Sequence, residues 1–308
     1  MRRGGLNRRD NVLASIKLVI QPILPLQPIP AGIGIAIRGW FYDVITEASP
    51  DVADRLHHAT GAKPFTVSQL FGKYKQSEGM LHLNKQPYSL RVTVLTSELY
   101  GALRQILANK MSNGEFIQLG GMKFSIEQVV LGGEGEAYAG QCSYEELWQT
   151  PARREYSFQF VTPTSFRMGR GHLPFPLPGS VYRGLWQKWN QFAPQQFTMG
   201  KELLETVQEQ VFPSQHEIKT KLLPRSGAKF LGFVGTCTFE VLGDVSAEHL
   251  HNLTVLSEFA YYAGVGAKTT EGMGQTLCCR ALSRSLSLSE EQGSKPVLKP
   301  STGSVQTL

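Results

Sequence analysis

Residues 264–274 read GVGAKTTEGMG, a glycine-rich loop with the pattern G-x-G-x5-G-x-G. Glycines lack Cβ atoms, so their backbone amides can approach a phosphate closely and form an anion-binding concavity. Lys268 adds a positive charge, and Thr269 and Thr270 add hydroxyl donors. The loop follows a predicted helix and precedes a predicted strand, whereas Walker and dinucleotide-binding loops lead from a strand into a helix. The pattern therefore indicates phosphate binding of another kind, or a structural turn with helix-ending glycines.

The segments on the N-terminal side of this loop predict alternating strands and helices through the second half of the chain. Residues 155–162, EYSFQFVT, alternate polar and apolar side chains as a half-buried strand does. Ser246 is a natural N-cap for the helix that leads into the loop. The predicted strands are residues 155–162, 216–223, 228–242 and 275–282, and the predicted helices are residues 180–192 and 246–262, with residues 206–213 ambiguous.

The first half of the chain repeats this layout. Ser49 and Pro50 are typical of the N-cap and first position of a helix, and Ser97 is a natural N-cap for another. The predicted strands are residues 14–20, 63–70, 89–95 and 123–131, and the predicted helices are residues 34–45, 51–59 and 97–110.

Each half therefore predicts the order β-α-β-β-α-β, which is the ferredoxin-like unit. The predicted fold class is α+β, with tandem ferredoxin-like (βαββαβ) domains and antiparallel sheets. We place the N-terminal domain at residues 14–150 and the C-terminal domain, with the glycine-rich loop, at residues 151–282. Residues 1–13 are expected to be flexible. Residues 283–308 are rich in Ser, Gly and Pro without an apolar period, which is typical of a disordered tail.

Composition excludes several classes of protein. The chain has 308 residues, 41% hydrophobic, so global disorder is excluded, and its net charge of +6 fits local anion-binding patches. Its four cysteines form no CxxC and its histidines no HExxH, so neither a metal site nor a cofactor is predicted. The uncharged residues 18–37 contain four prolines, which break a membrane-spanning helix, and the basic N-terminus lacks a cleavage site. We expect a soluble, cytoplasmic protein with no membrane partner.

The position of the glycine-rich loop near the C-terminus, together with the tandem layout, carries a family resemblance. Both features resemble the CRISPR-associated RNA-binding proteins called the repeat-associated mysterious protein (RAMP) superfamily. Over about residues 14–282 the chain is similar to the repeat-processing endoribonucleases of that superfamily. The resemblance implies an enzyme that cuts CRISPR repeat RNA in precursor transcripts to give guide RNAs.

Residues 55–68, RLHHATGAKPFTVS, resemble the segment around the catalytic histidine of that endonuclease family. Tyr42 lies fifteen residues before His57, and Lys63 lies six residues after it. These offsets match the Tyr/His/Lys set of some members, so the resemblance implies that Tyr42, His57 and Lys63 are catalytic. His58 is the alternative histidine, one residue on and roughly 100° around the helix.

Metal-independent RNA cleavage requires the same types of residue. The 2′-hydroxyl attacks the adjacent phosphorus, which needs a base, an acid for the leaving 5′-oxygen and a cation for the phosphate charge. Histidine suits either proton transfer, Lys63 suits the phosphate, and Tyr42 suits donation to the 2′-hydroxyl. The products would be a 2′,3′-cyclic phosphate and a 5′-hydroxyl. The structural alternatives are a surface histidine favoured by a helix C-terminus and a tyrosine packed beside Trp40 and Phe41.

Basic residues in the second half predict how RNA is held. Arg167 and Arg170 stand beside flexible glycines, which suits gripping of phosphates, although an exposed basic loop is the alternative. The predicted RNA-binding residues are Gly264, Gly266, Lys268, Thr269, Thr270, Gly272, Gly274, Arg167, Arg170 and Lys229.

Two other functions fit the sequence. The first is a non-catalytic RNA-binding subunit of a CRISPR effector complex, because members that only bind RNA share the loop, and other complex subunits would then be partners. The second is an unrelated ferredoxin-like enzyme whose loop holds a small phosphate ligand. The sequence leaves the oligomeric state open.

Overall fold

The computed structural model describes residues 11–133, 136–225 and 228–278, and gives no side-chain placement for Lys229. The strands in chain order are β1 (Val12–Pro22), β2 (Ile29–Pro30), β3 (Phe65–Val67), β4 (Lys75–Ser77), β5 (Met80–His82), β6 (Tyr88–Val94), β7 (Phe116–Leu119), β8 (Met122–Val130), β9 (Gly140–Ser143), β10 (Glu155–Thr164), β11 (Phe166–Met168), β12 (Gly171–Leu173), β13 (Val211–Arg225), β14 (Ala228–Val241) and β15 (Thr276–Cys278). The helices are α1 (Gly34–Ala48), α2 (Pro50–His58), α3 (Ser97–Ser112), α4 (Tyr144–Trp148), α5 (Pro178–Phe192), α6 (Leu203–Gln210) and α7 (Ala247–Ala263). The predicted tail at residues 283–308 and the end of the predicted strand 275–282 lie outside the described residues, as do residues 1–10.

The first sheet has the strand order β3-β6-β1-β8-β7, and β9 pairs with the N-terminal part of β1. All of these pairings are antiparallel. Ile16, Leu18 and Ile20 on β1 are fully buried and share a core with Phe41 of α1 and Leu103 of α3. The polar–apolar alternation of β1 therefore places the helices on one face of the sheet.

The second sheet has the order β13-β14-β10-β15, again with antiparallel pairings. The four strands of the βαββαβ unit are β1, β3, β6 and β8 in the first sheet, and β10, β13, β14 and β15 in the second. In both sheets the first and third strands of the unit lie in the centre, between the second and the fourth. The inward residues of β10, Phe158 and Phe160, pack in a core with Trp189 of α5 and Phe259 of α7. The predicted α+β class with two ferredoxin-like sheets is confirmed.

Arg91 joins the two sheets from within. Its side chain is 1% exposed, lies on β6 of the first sheet and donates hydrogen bonds to groups of the second half. Nη2 donates to the Tyr261 carbonyl at 2.6 Å and Nη1 to Gln275 Oε1 at 3.0 Å, while the guanidinium lies 4.2 Å from the Tyr261 ring centre. Gln275 in turn donates to Thr66 Oγ1 on β3 at 2.8 Å. This interface sets the glycine-rich loop directly against the first sheet.

The structure corrects several predicted boundaries. Thr96, not Ser97, caps α3, because Thr96 accepts from the Leu99 amide while the Ser97 hydroxyl accepts from the Val12 amide at 2.8 Å. Ser246 caps α7 as predicted, accepting from the His249 amide at 3.1 Å. Ser49 occupies the N-cap position of α2 without a side-chain hydrogen bond.

Other differences concern short elements. The predicted strand at residues 63–70 is reduced to β3, because Pro64 has no amide hydrogen for a ladder and Lys63 bonds back to α2. The ambiguous residues 206–213 divide between α6 and the start of β13. Two short hairpins, β4–β5 and β11–β12, were not predicted, because strands of three residues are too short to show an alternating pattern.

Residues 18–37 form the end of β1, an irregular segment with the short β2, and the start of α1. In the part of the chain that the structure describes, no helix combines the length and the apolar character that a membrane crossing requires.

Candidate active site

The packing of α1 against α2 brings Tyr42 and His57 together. Phe41 faces the core, so Tyr42, the next residue along α1, lies at the helix flank, half-buried. Its ring stacks on His57 of α2, with ring centres 4.7 Å apart and planes 20° apart. Phe65 of β3 packs edge-on against Tyr42, with ring centres 5.6 Å apart. The tyrosine and histidine are therefore held in a fixed mutual geometry at the surface of the first domain.

His57 and His58 point in different directions. His57 is exposed to solvent but its ring lies on Tyr42. The His58 Nε2 lies 3.4 Å from Asp54 Oδ1, and these two side chains are 81% and 76% exposed. The structure thus ties His57 to the predicted catalytic tyrosine and directs His58 to open solvent.

Tyr42 is placed to act as a hydrogen-bond donor. Burial raises the pKa of Tyr42, and the positive charge of Arg38, one turn earlier on α1, opposes that rise. The net pKa shift is upward, so the phenol keeps its proton at neutral pH.

Lys63, predicted to act on the phosphate charge, lies with its ammonium against the end of α2. Its Nζ donates to the carbonyls of Leu56 at 2.7 Å, His57 at 3.3 Å and Ala59 at 2.7 Å. These carbonyls lie at the C-terminal end of α2, where a helix leaves acceptors without intrahelical partners. Lys63 therefore fixes the end of the helix that carries His57, and its ammonium is directed into protein.

The glycine-rich loop packs between the two domains. Gly272 and Gly274 have φ angles of +89° and +68°. A Cβ on Gly274 would lie 2.1 Å from the Val265 carbonyl oxygen, and one on Gly272 would lie 2.2 Å from Gln69 Nε2 of the first domain. Gly272 also forms a bridge with Ser68 directly after β3. These glycines are required for close backbone packing.

Burial divides the predicted RNA-binding residues of the loop into two groups. Gly264, Thr269, Gly272 and Gly274 are buried and pack the loop against its neighbours, and their contact with RNA stays a prediction. Gly266, Lys268 and Thr270 are partly exposed and remain accessible to a ligand.

Lys188 on α5 fixes the loop and was missed from the sequence. Its Nζ donates to the carbonyls of Ala263 at 2.5 Å and Gly264 at 3.4 Å, and to Thr269 Oγ1 at 3.3 Å. Burial lowers the pKa of Lys188 to about 8. The sequence signal that could have identified Lys188 is its position beside Trp189, on a helix whose apolar residues face the core.

A groove of about 580 Å³ lies beside the exposed part of the loop. Arg167, Arg183 and the N-terminal residues of α5 line it together with Gly266 and Ala267. Burial, and then the charges of Lys268 and Arg167, lower the pKa of the nearby His172. The structure therefore brings Arg167, Gly266 and Lys268 to one basic region.

Two predicted RNA-binding residues remain outside this arrangement. Arg170 is exposed at the turn of the β11–β12 hairpin, and the Lys229 side chain lies outside the described part of the structure. Within residues 11–133, 136–225 and 228–278, no three or more His, Cys, Asp or Glu side chains are grouped as a metal site would require.

Comparisons with known proteins match both halves of the chain. The family model described as the CRISPR Cas6 N-terminal domain matches residues 15–149, and that of the CRISPR-associated endoribonuclease Cas6 matches residues 158–276. The CRISPR-associated endoribonuclease Cas6 of Streptococcus thermophilus is 21% identical over 232 residues, which cover 75% of this chain and 86% of the relative. The protein of that description from Mycobacterium tuberculosis H37Rv is 29% identical over 133 residues, or 42% of this chain and 40% of the relative.

Solved structures agree with these matches. A Thermus thermophilus Cas6 in a product complex has a TM-score of 0.72 and 26% identity, covering 86% of this chain and 99% of that one. Another Cas6, in a substrate-mimic complex, has a TM-score of 0.67 and 28% identity, covering 87% and 99%.

Proposed function

The chain belongs to the CRISPR-associated endoribonuclease Cas6 family, and from that premise we propose that it cuts the repeats of precursor CRISPR RNA by a metal-independent transesterification. The observation that carries the proposal is the stacked Tyr42–His57 pair at the surface of the first domain, where His57 is exposed. Relatives captured in product and substrate-mimic complexes support an RNA substrate for this chain as well.

In the proposed reaction the 2′-oxygen of one nucleotide forms a bond to the adjacent phosphorus while the bond from phosphorus to the 5′-oxygen breaks. The 2′-hydroxyl loses its proton to a base and the leaving 5′-oxygen gains one, so charge and protons balance. The products are a 2′,3′-cyclic phosphate and a 5′-hydroxyl. His57 performs one of these two proton transfers, because it is solvent-accessible and imidazole both accepts and donates protons near neutral pH.

Tyr42 is assigned two tasks. Its ring holds the His57 imidazole in one orientation through the stacking contact, and its protonated phenol donates to the 2′-hydroxyl or to a phosphate oxygen. Fixing a catalytic group before the substrate arrives lowers the entropic cost of reaching the transition state.

Lys63 is assigned a positioning role, because its ammonium holds the last carbonyls of α2. We expect Lys63→Met to lower the rate constant for cleavage of bound RNA by about tenfold to a hundredfold through displacement of His57, with the RNA Kd changed by less than about threefold. Lys63→Arg keeps donors at the same place and is expected to recover part of the loss. Single-turnover cleavage at saturating enzyme, with a separate binding titration, measures both quantities.

Lys75→Met is the matched control for loss of one positive charge, because Lys75 is exposed on β4. A Lys63→Met variant that binds RNA much more weakly but cuts bound RNA at the normal rate would assign Lys63 to the phosphate instead.

RNA is proposed to follow the basic groove beside the loop. Arg167 and Arg183 and the partly exposed Gly266 line one continuous surface, and the N-terminus of α5 adds the positive end of a helix dipole. Arg170 at the hairpin turn extends this surface. We include Lys229 in the RNA-binding set from its sequence position alone.

The second candidate function is a non-catalytic RNA-binding subunit that works with other proteins of a CRISPR complex. The buried half of the glycine-rich loop packs the fold together, and a non-catalytic RNA-binding protein would need that packing as much as an enzyme. Incubation of the purified chain with labelled repeat RNA separates the two functions. We expect one cut in repeat RNA and none in a scrambled RNA of equal composition; tight binding without a cut would favour the subunit.

A further inference from the structure

One carboxylate, that of Glu271 in the glycine-rich loop, holds two cations from different parts of the chain. Arg38 Nη1 on α1 lies 2.8 Å from Glu271 Oε1, and Lys268 Nζ lies 3.2 Å from Glu271 Oε2. Each carboxylate oxygen therefore contacts its own cation. A backbone phosphate likewise carries two anionic oxygens on one centre, and each of them can contact a separate cation of a basic protein.

The two cations are accessible from solvent, whereas the carboxylate between them is more covered. The exposed fraction of the side chain is 35% for Arg38, 30% for Lys268 and 16% for Glu271. An anion arriving from solvent can thus reach Arg38 and Lys268 without any movement of the backbone.

The backbone of Glu271 is held in place independently of its carboxylate. Its amide donates to the Lys268 carbonyl at 2.9 Å, and its carbonyl accepts from Gln69 Nε2 at 3.2 Å. Gly272 bridges to Ser68 of the first domain. Rotation of the Glu271 side chain alone would vacate the space between the two cations and leave the loop where it is.

Arg38 lies next to the proposed catalytic pair, and Lys268 shares the Glu271 carboxylate with it. Arg38 precedes Tyr42 by one turn of α1, and its charge acts on the Tyr42 phenol. Tyr42 stacks on His57. Because Lys63 is directed into α2, the cation that the phosphate needs has to come from elsewhere, and Arg38 is the partly exposed cation on the helix of Tyr42.

We propose that Arg38 and Lys268 together bind one phosphate of the RNA strand at the active site, and that Glu271 is the resident counter-charge which that phosphate displaces. The inference rests on the proposed RNA-cleaving function and deepens it. Glu271 then lowers affinity for RNA and for other anions, because each bound phosphate has to replace an existing pair of ionic contacts.

The test is the affinity of Glu271→Gln for repeat RNA that carries a 2′-deoxy nucleotide on the 5′ side of the mapped cut. We expect the Kd to fall by about three- to tenfold relative to the native protein, because the uncharged amide no longer forms an ion pair with either cation. The slope of log K against log salt should become steeper by up to about 0.7, the value of one further phosphate contact to a single strand. Adding Arg38→Met should remove most of the gain.

Glu145→Gln is the matched control, because it removes one negative charge from an exposed position on α4. If Glu271→Gln binds RNA no better than Glu145→Gln, the inference is wrong. A weaker affinity together with a lower melting temperature would also overturn it and would make the three residues a latch between domains.

Where Glu271→Gln does not fold, Arg38→Met in the native background is measured instead. We then expect weaker RNA binding and a shallower slope of log K against log salt. An unchanged slope would contradict the inference. If the native protein cuts repeat RNA and these variants leave affinity unchanged, only this inference fails; if the native protein binds no RNA, the proposed function fails with it.

Discussion

His57→Ala should lower the rate of repeat cleavage by about 10²–10⁴-fold, the usual contribution of one general acid or base. The imidazole lies on Tyr42 at the surface of the first domain, and alanine there removes the proton-transfer group without removing a buried contact. RNA affinity should stay within about threefold, because the groove and the glycine-rich loop lie on other elements. Single-turnover cleavage and a binding titration with the same RNA measure the two effects separately.

His58→Ala is a closely matched control. It removes the same type of side chain one position along α2, from a site paired only loosely with Asp54 and largely exposed. We expect its cleavage rate to remain within about threefold of the native rate. Loss of cleavage in His58→Ala with retention in His57→Ala would transfer the catalytic role to His58 and leave the stacked pair without function.

Arg91→Met should lower the free energy of unfolding by about 2–6 kcal/mol, because each of two buried acceptors that loses its donor costs about 1–3 kcal/mol. The variant would leave the Tyr261 carbonyl and the Gln275 side chain without their donors inside the interface of the two domains. It would also remove the stacking of the guanidinium on the Tyr261 ring. Chemical unfolding followed by far-UV circular dichroism measures the change.

Arg104→Met provides the comparison, since Arg104 is exposed on α3. That variant should change stability by less than about 0.5 kcal/mol. Equal stabilities for the two variants would show that Arg91 does not hold the domains together. Arg91→Lys should lie between them, because an ammonium can replace only part of the planar set of donors.

Local sequence patterns were sufficient to predict the main elements of the fold. The alternation in residues 155–162 predicts a strand with one buried face, and β10 buries Tyr156, Phe158 and Phe160 on that face. Ser246 predicts the start of α7 because an N-cap is a contact between residues three apart. Such signals fail for β11 and β12, because three residues are too few to show the two-residue alternation of a strand.

The candidate site was predictable only in part, for a physical reason. The stacking of Tyr42 on His57 follows from the packing of two helices whose spacing the family resemblance already implied. The partners of Lys63, Lys188 and Glu271 are carbonyls and cations brought together by the tertiary fold, and no local pattern encodes them. A glycine-rich sequence likewise predicts close approach of the backbone but not whether an RNA phosphate or another domain lies against it.

The most direct test of the proposed chemistry is cleavage of end-labelled repeat RNA in excess EDTA, beside the same RNA with a 2′-deoxy nucleotide on the 5′ side of the cut. The 2′-hydroxyl is the proposed nucleophile, and the proton transfers are assigned to side chains. We therefore expect one cut in EDTA that leaves a 2′,3′-cyclic phosphate, and no cut in the deoxy substrate. Cleavage that stops in EDTA and returns with a divalent metal ion, or that proceeds on the deoxy substrate, would contradict the proposed mechanism.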